Sequence, residues 1–406
     1  MCIESLLIIV LLWQSVIQKF TGFTYLDEII VLFFGINFIG KKFLNKKNES
    51  SKLEKNEQFA FVFTIIFYLI GCISTIIFNY QESYFYGMLS GIFSVKSLIA
   101  YFGARFFFSD RKIERNDLKL FLCFIEYPII ITFILLSIGQ VIPLFEYDPS
   151  RVILGIKSSN FIFSHPTELA CYAIVSLFVS VFLRTCLGYK KKIWRNYLPA
   201  IFIVIVSGRY KALAFIAIFI LLRVILPYMK RFKLSRMLIG LPVVFMIARE
   251  QIIYYFFDVN SSRGALYYYS LKIAKDHFPL GSGFGTYGTE FSRDRYSLLY
   301  GKYGLSNIYG LQENFSSFIT DTMWAGVIGE AGFLGFIFYA LFFVFIFKFF
   351  HLKIKNKQIK FLLICFVVYG LFESIADSFF MSSRGVLLFV TVAYMYHLYS
   401  NKFSKE

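Results

Sequence analysis

Apolar residues run in long stretches along this chain, interrupted by short polar segments, and strict apolar/polar alternation is rare. Runs of this kind, long enough to cross a hydrocarbon layer of about 30 Å, which takes about 20 helical residues, recur from one end to the other. The pattern predicts twelve helical spans: Ile3 to Ile17, Leu26 to Ile39, Phe59 to Phe78, Tyr84 to Ala104, Leu118 to Ile138, Leu169 to Leu187, Tyr197 to Val206, Ala212 to Leu226, Met237 to Phe257, Met323 to Phe347, Phe361 to Ala376 and Val386 to Tyr399. The second, seventh and eighth are short. The SGRYK segment at Ser207 to Lys211 therefore reads either as a tight turn or as the tip of a re-entrant pair. The sequence thus predicts a single all-α polytopic membrane domain over 1–406 with one large loop at 258–320.

Composition agrees with the pattern: 58% of residues are hydrophobic, 17% are charged, and phenylalanine alone numbers 53. A net charge of +17 would point to nucleic acid in a soluble protein. Here the distribution of the basic residues removes that reading. Six segments on alternate connections, including KKFLNKKNESSKLEK and KFFHLKIKNKQIK, hold about 28 of the 42 lysines and arginines. By the positive-inside rule they face the cytoplasm, which places both termini inside. The connections around Asp148, Arg209, Asp258 to Thr320 and Asp377 to Arg384 then lie on the outer face of a plasma membrane. Glu4 and the lack of a basic leader predict that the first span is retained rather than cleaved. The six cysteines fall in or beside spans and read as small packing residues, and no phosphate-binding loop, zinc spacing or cofactor motif appears.

Chemistry concentrates in and around 258–320, where glycines, arginines and acids gather. RGALYYYSLKIAKDHF reads as a helix with Leu266, Tyr269, Ile273 and Phe278 near one face, and PLGSGFGTYG follows it. Glycines at this density permit tight turns or close approach of backbone to a ligand. No strand precedes them, so they form no dinucleotide fingerprint. Charged residues at the membrane are costly and need a wet cavity or a partner. Arg209, Lys211, Arg263 and Arg384 approach the outer face from different helices, and converging they would form a basic pocket suited to a diphosphate held near lipid. A lone arginine at a helix end also serves as a snorkelling anchor, although basic anchors are expected on the inner side. Arg249, beside Glu250, fits a compensated pair as well as a ligand site, and Lys96 within the fourth span has no assigned role. Asp321 opens the tenth span, either as a helix cap shared with Thr320 or as a proton acceptor, and Glu290 and Glu330 stand in reserve for that role.

Taken in order, SGR at an outer helix end, SSRGALYYYSLKIAKDHFPLGSGFGTYG, and the acid-started TDTMWAGVIGEAGFLGF resemble the bacterial O-antigen polymerase and ligase superfamily. SHPTELACYAI around His165 is similar to the segment that precedes this core in exopolysaccharide polymerases. The resemblance covers about His165 to Phe347. It implies a C-type glycosyltransferase-like membrane fold acting, without metal or cofactor, on undecaprenyl-diphosphate-linked oligosaccharides at the outer side of the bacterial inner membrane. By that resemblance Arg209 and Arg263 handle the diphosphate and Asp321 is the acceptor of the proton. His165, Lys211, Arg249, Glu290, Glu330 and Arg384 then contribute to substrate binding. The ligase branch carries a His-Asn pair where this chain has Asp321 and Thr322, which favours a polymerase of O-antigen, capsule or exopolysaccharide. A polysaccharide chain-length regulator is the partner the resemblance implies, beside membrane lipids.

Two rivals remain open at the level of sequence. A lipid-linked oligosaccharide flippase would also be polytopic and aromatic-rich, but transporters commonly show paired halves. A metal-dependent glycosyltransferase would carry its acidic motif in the first outer loop, whereas the nearest candidate, Glu146-Tyr147-Asp148, lies in the third.

Overall fold

The computed structural model describes residues 2–44, 53–189 apart from positions 79, 82, 110, 112, 143 and 154, 194–225, and 258–403. It is an all-α membrane protein. The helices in the first part of the chain are α1 (Ile3–Leu12), α2 (Gln14–Thr21), α3 (Leu26–Leu44), α4 (Lys55–Phe78), α5 (Tyr84–Phe108) and α6 (Arg115–Gly139). A small antiparallel hairpin, β1 (Asp148–Ile153) with β2 (Ile156–Ser158), then leads into α7 (Pro166–Leu187), α8 (Trp194–Val206) and α9 (Tyr210–Ile225). The remainder comprises α10 (Ser262–Asp276), the short α11 (Glu290–Asp294) and α12 (Leu298–Lys302), and the long α13 (Met323–Lys353), α14 (Lys357–Glu373) and α15 (Ser383–Phe403).

Eleven of the twelve predicted spans coincide with helices, and the ninth, Met237 to Phe257, lies outside the described residues together with Arg249. Among the described residues, six helices are long and apolar enough to cross a membrane, or seven if a bent pair counts as one span. That pair is the predicted first span, broken into α1 and α2 with a 61° bend at Trp13. Hydropathy conceals the break because its average runs across both helices; Gln14 and Ser15 just beyond it are polar yet buried. The hairpin of α8 and α9 turns tightly at Gly208, whose φ of 65° suits glycine. Within the described residues its arms, 13 and 16 residues long, are about 20 and 24 Å in length.

At the centre stands α7, with 94% of its apolar window buried, and α4 packs along α13 while α5 packs along α15 and α3. Charged residues inside this bundle are tied between helices. Arg105 of α5 holds Glu57 of α4 at 2.8 Å, and Arg184 of α7 holds Glu126 of α6 at 2.5 Å. Lys96, isolated in the sequence, reaches Asp27 and Glu28 of α3, each at 2.7 Å. Charge is tolerated here because each group has a partner of opposite sign.

The large loop is polar in composition but has its own small core. Ala265, Leu266 and Ile273 of α10 close on Tyr287, Tyr300, Leu305 and Leu311. The expected helix is present, with Ser261 capping it through the Gly264 amide. Phe278, expected near the face of Leu266 and Ile273, is exposed because the helix ends at Asp276 and the chain turns away.

The glycine-rich stretch does not present its backbone to open space. It is buried between α4, α5 and α13, where Phe284 packs against Phe67 and Tyr68. Its amides are satisfied by the bundle. Gly281 donates to Ser74 Oγ at 3.2 Å and Phe284 to Thr75 Oγ1 at 2.9 Å. The Ser282 amide donates to the Gly329 carbonyl and the Gly283 amide to the Glu330 carbonyl, each at 2.9 Å. Irregular backbone among apolar helices survives only when so paired. Those two carbonyls are released because α13 breaks at Gly332, with φ 68° and ψ −171°. The break also divides a 31-residue helix, which would otherwise extend about 46 Å, into a short lead-in and a stretch matched to a bilayer.

Candidate functional site

Four predicted cationic positions do meet at one end of the bundle, together with His165. His165 is the N-cap of α7, its Nδ1 accepting from the Thr167 amide at 3.3 Å. Arg209, in the turn between α8 and α9, brings Nη2 to 3.0 Å from His165 Nε2. Lys211, in the first turn of α9, reaches Glu373 at 3.1 Å and the Ala376 carbonyl at 3.4 Å. Arg384 at the start of α15 makes a two-pronged pair with Asp377, 2.8 Å on each side, and lies 3.2 Å from Glu168 of α7. Arg263, at the start of α10, donates to Asp321 at 2.7 Å. The connection 374–378 ties the groups together: Tyr267 donates to the Ile375 carbonyl at 2.6 Å, Ser378 to the Thr320 carbonyl at 2.6 Å, and Trp324 to Ser374 at 2.9 Å.

These contacts separate the cations by what they lack. Lys211, Arg263 and Arg384 each face a carboxylate within 4 Å, whereas Arg209 has none among the described residues. Its Nε is buried without a hydrogen-bond partner. The imidazole is a poor substitute, since a neutral ring has one acceptor nitrogen and two donors, the Thr167 amide and Arg209, compete for it. Burial, with Arg151 near, lowers the Arg209 pKa from its ordinary value, yet the group stays cationic at neutral pH. Burial and then Arg209 push His165 down to about 4, so it is neutral at pH 7. A half-buried guanidinium with spare donors, near Asp377 and Glu373 but with no carboxylate within 4 Å among the described residues, is suited to an anion.

Asp321 does not cap its helix. The N-cap position is Thr322, which makes no side-chain cap bond, and the Asp321 carboxylate turns to Arg263 instead. Burial raises the Asp321 pKa above the usual carboxylate range, and Arg263 only partly offsets it. Asp377 goes the other way: burial would raise it, but Arg384 against it holds it low. Two nearby carboxyls with opposite shifts are suited to different tasks, the first to proton transfer and the second to holding an arginine.

Other predicted positions stand apart from this cluster. Glu330 is fully buried and accepts from the Tyr287 amide at 3.1 Å and from Thr289 Oγ1 at 2.9 Å, so it pins the glycine-rich loop. Glu290 is largely exposed, 3.7 Å from Arg293, on the rim of a cavity.

That cavity, ≈440 Å³, opens beside Arg384 and Asp377 and runs between α2, α3, α5 and the loop. Its wall includes Asp27, Glu28 and Lys96, and at its other side Thr320, adjacent to Asp321. Sequence reasoning missed Asp27, Glu28, Glu168, Glu373 and Asp377 as partners. Each looks like an ordinary helix-end acid when read alone. An excess of arginines on the outer side was the available signal, because buried cations require nearby acids. No family model and no curated protein matches this chain.

Proposed function

We propose that this protein is a polysaccharide polymerase that joins undecaprenyl-diphosphate-linked oligosaccharide repeat units at the outer face of the bacterial inner membrane. The observation that carries this reading is Arg209, a half-buried guanidinium with no carboxylate within 4 Å among the described residues, at the same end of an apolar bundle as the Arg263–Asp321 pair and a cavity of ≈440 Å³. A diphosphate on a lipid anchor is the anion such a position suits, since its charge must be met near the membrane surface.

In this reaction a hydroxyl of one lipid-linked unit attacks the anomeric carbon of the growing chain. The new carbon–oxygen bond forms as the bond to undecaprenyl diphosphate breaks, and the hydroxyl proton passes to Asp321. Arg209 meets the negative charge that gathers on the leaving diphosphate, and Arg263 orients Asp321 as well as lending it positive charge. A preorganised donor of this kind supplies on the order of 3 kcal/mol to the transition state. Asp321 acts as general base.

The surface-glycan ladder of cells carrying Arg209→Ala tests this reading, with the variant's membrane abundance checked. The expected result is collapse to a single repeat unit. Loss of all surface glycan, single units included, would favour a lipid-linked oligosaccharide flippase, and an unchanged ladder would make Arg209 a membrane anchor.

A further inference from the structure

We infer that the cavity beside Arg384 is the binding site for the sugar portion of the substrate, and that it takes sugars without acidic groups. This rests on the polymerase reading for its place in the reaction, but the binding itself is independent of it. Three observations carry the inference.

The first is unpartnered polarity in the wall of the cavity. Gln14 and Ser90 both line it, and Gln14 Oε1 and Ser90 Oγ are buried without a hydrogen-bond partner. Buried polar groups are ordinarily satisfied, and rotation of either side chain toward the cavity would pair it with a polar occupant. A sugar hydroxyl offers both at once.

The second is composition. The wall is rich in hydroxyls, with Thr24, Ser94, Thr289, Thr320, Ser378 and Ser382. Tyr25, Phe93 and Phe291 supply aromatic faces of the kind that stack on the C–H face of a pyranose. A hydrophobic lining would suit the lipid tail, and this is not one.

The third is charge. The wall carries Asp27, Glu28, Glu290 and Asp377 against Lys96 and Arg384, with Arg293 beside Glu290 from outside it. Lys96 is already committed to Asp27 and Glu28, and Arg384 to Asp377 and Glu168. The surplus is negative, so a uronic acid or a phosphate is repelled while a neutral or amino sugar is accepted. The substrate therefore lies across a charge divide, its diphosphate at Arg209 and its sugars on the acidic side, with the Arg384–Asp377 pair between them. Thr320 on the cavity wall places the sugar end next to Asp321.

The test uses full-length protein in nanodiscs and oligosaccharide released by mild acid from the host cell's own lipid-linked pool, freed of phosphate. Titration calorimetry of this probe should show binding to the unmodified protein, weakened at least about tenfold by Ser90→Phe, which fills the cavity, and unchanged by Arg209→Ala. Inorganic pyrophosphate should show the reverse dependence. Oligogalacturonate, an acidic sugar, should neither bind nor compete. No binding of the released oligosaccharide, an undiminished affinity in Ser90→Phe, or competition by oligogalacturonate would each overturn the inference. A second variant, Ser90→Leu, guards against misfolding, with pyrophosphate binding as the check that the protein is intact. If glycan binding follows the prediction but the Arg209→Ala ladder is unchanged, the cavity assignment stands and the polymerase reading falls.

Discussion

Arg209 and Arg384 are both cations at the same end of the bundle, yet their surroundings predict opposite behaviour on substitution. Arg384 holds Asp377 and Glu168, so Arg384→Ala strands two partly buried carboxylates and should cost about 1–3 kcal/mol of stability, seen as a lowered unfolding midpoint in detergent. Arg209 makes no such pair, so Arg209→Ala should leave that midpoint nearly unchanged while slowing polymerisation by about 10²–10³-fold. Equal destabilisation by the two variants would contradict this division. His165 provides a pH signature. Its folded pKa of about 4 lies below the ordinary 6.5, so between those values the unfolded chain binds more protons than the folded one. Stability therefore falls as pH drops from 6.5 towards 4, and His165→Gln should flatten that part of the profile. A diphosphate bound at Arg209 reverses the field on the ring, so saturating pyrophosphate should raise the His165 pKa, measurable in the NMR titration of that ring. An unmoved His165 titration would count against the placement.

Among the elements, α13 and the glycine-rich stretch form one unit. Gly332 allows the break that frees the Gly329 and Glu330 carbonyls, and Glu330 clamps the loop from below. At Gly332 an added Cβ would press on the Leu280 carbonyl, and φ is in the left-handed region, so alanine is opposed twice over. Gly283 is similar, with φ 97° and an added Cβ only 2.7 Å from Thr75 Cα. Gly332→Ala and Gly283→Ala should therefore reduce folded protein in the membrane, whereas Gly301→Ala, with open space around it, should not. Protease resistance of the loop would separate these outcomes. The helices themselves were readable from the apolar runs, and so was α10. The bend at Trp13 was not, because a hydropathy average spans it, and neither was the inward burial of PLGSGFGTYG, because its partners Ser74, Thr75 and Glu330 are distant in sequence.

For the molecule as a whole, the cations that gather at one end of the bundle were legible in the sequence, but the acids beside them were not. Arg209, Lys211, Arg263, Arg384 and His165 announce themselves by lying at the less basic ends of spans. Glu168, Glu373 and Asp377 do not, and the difference between an occupied and an open guanidinium exists only in three dimensions. The positive-inside pattern carries a further prediction at this scale. In a variant whose six cysteines are replaced, Tyr268→Cys in the exposed part of α10 should react with a membrane-impermeant thiol reagent in spheroplasts, and Lys357→Cys at the start of α14 should react only after lysis. The reverse result would place the site on the cytoplasmic side and remove the proposed substrate. The most direct measurement is reconstitution of the purified protein in liposomes with lipid-linked repeat units, with products sized by mass spectrometry. Glycans of two or more repeats together with free undecaprenyl diphosphate are expected, both lost in Arg209→Ala. Repeat units that remain intact and merely change leaflet would contradict polymerisation.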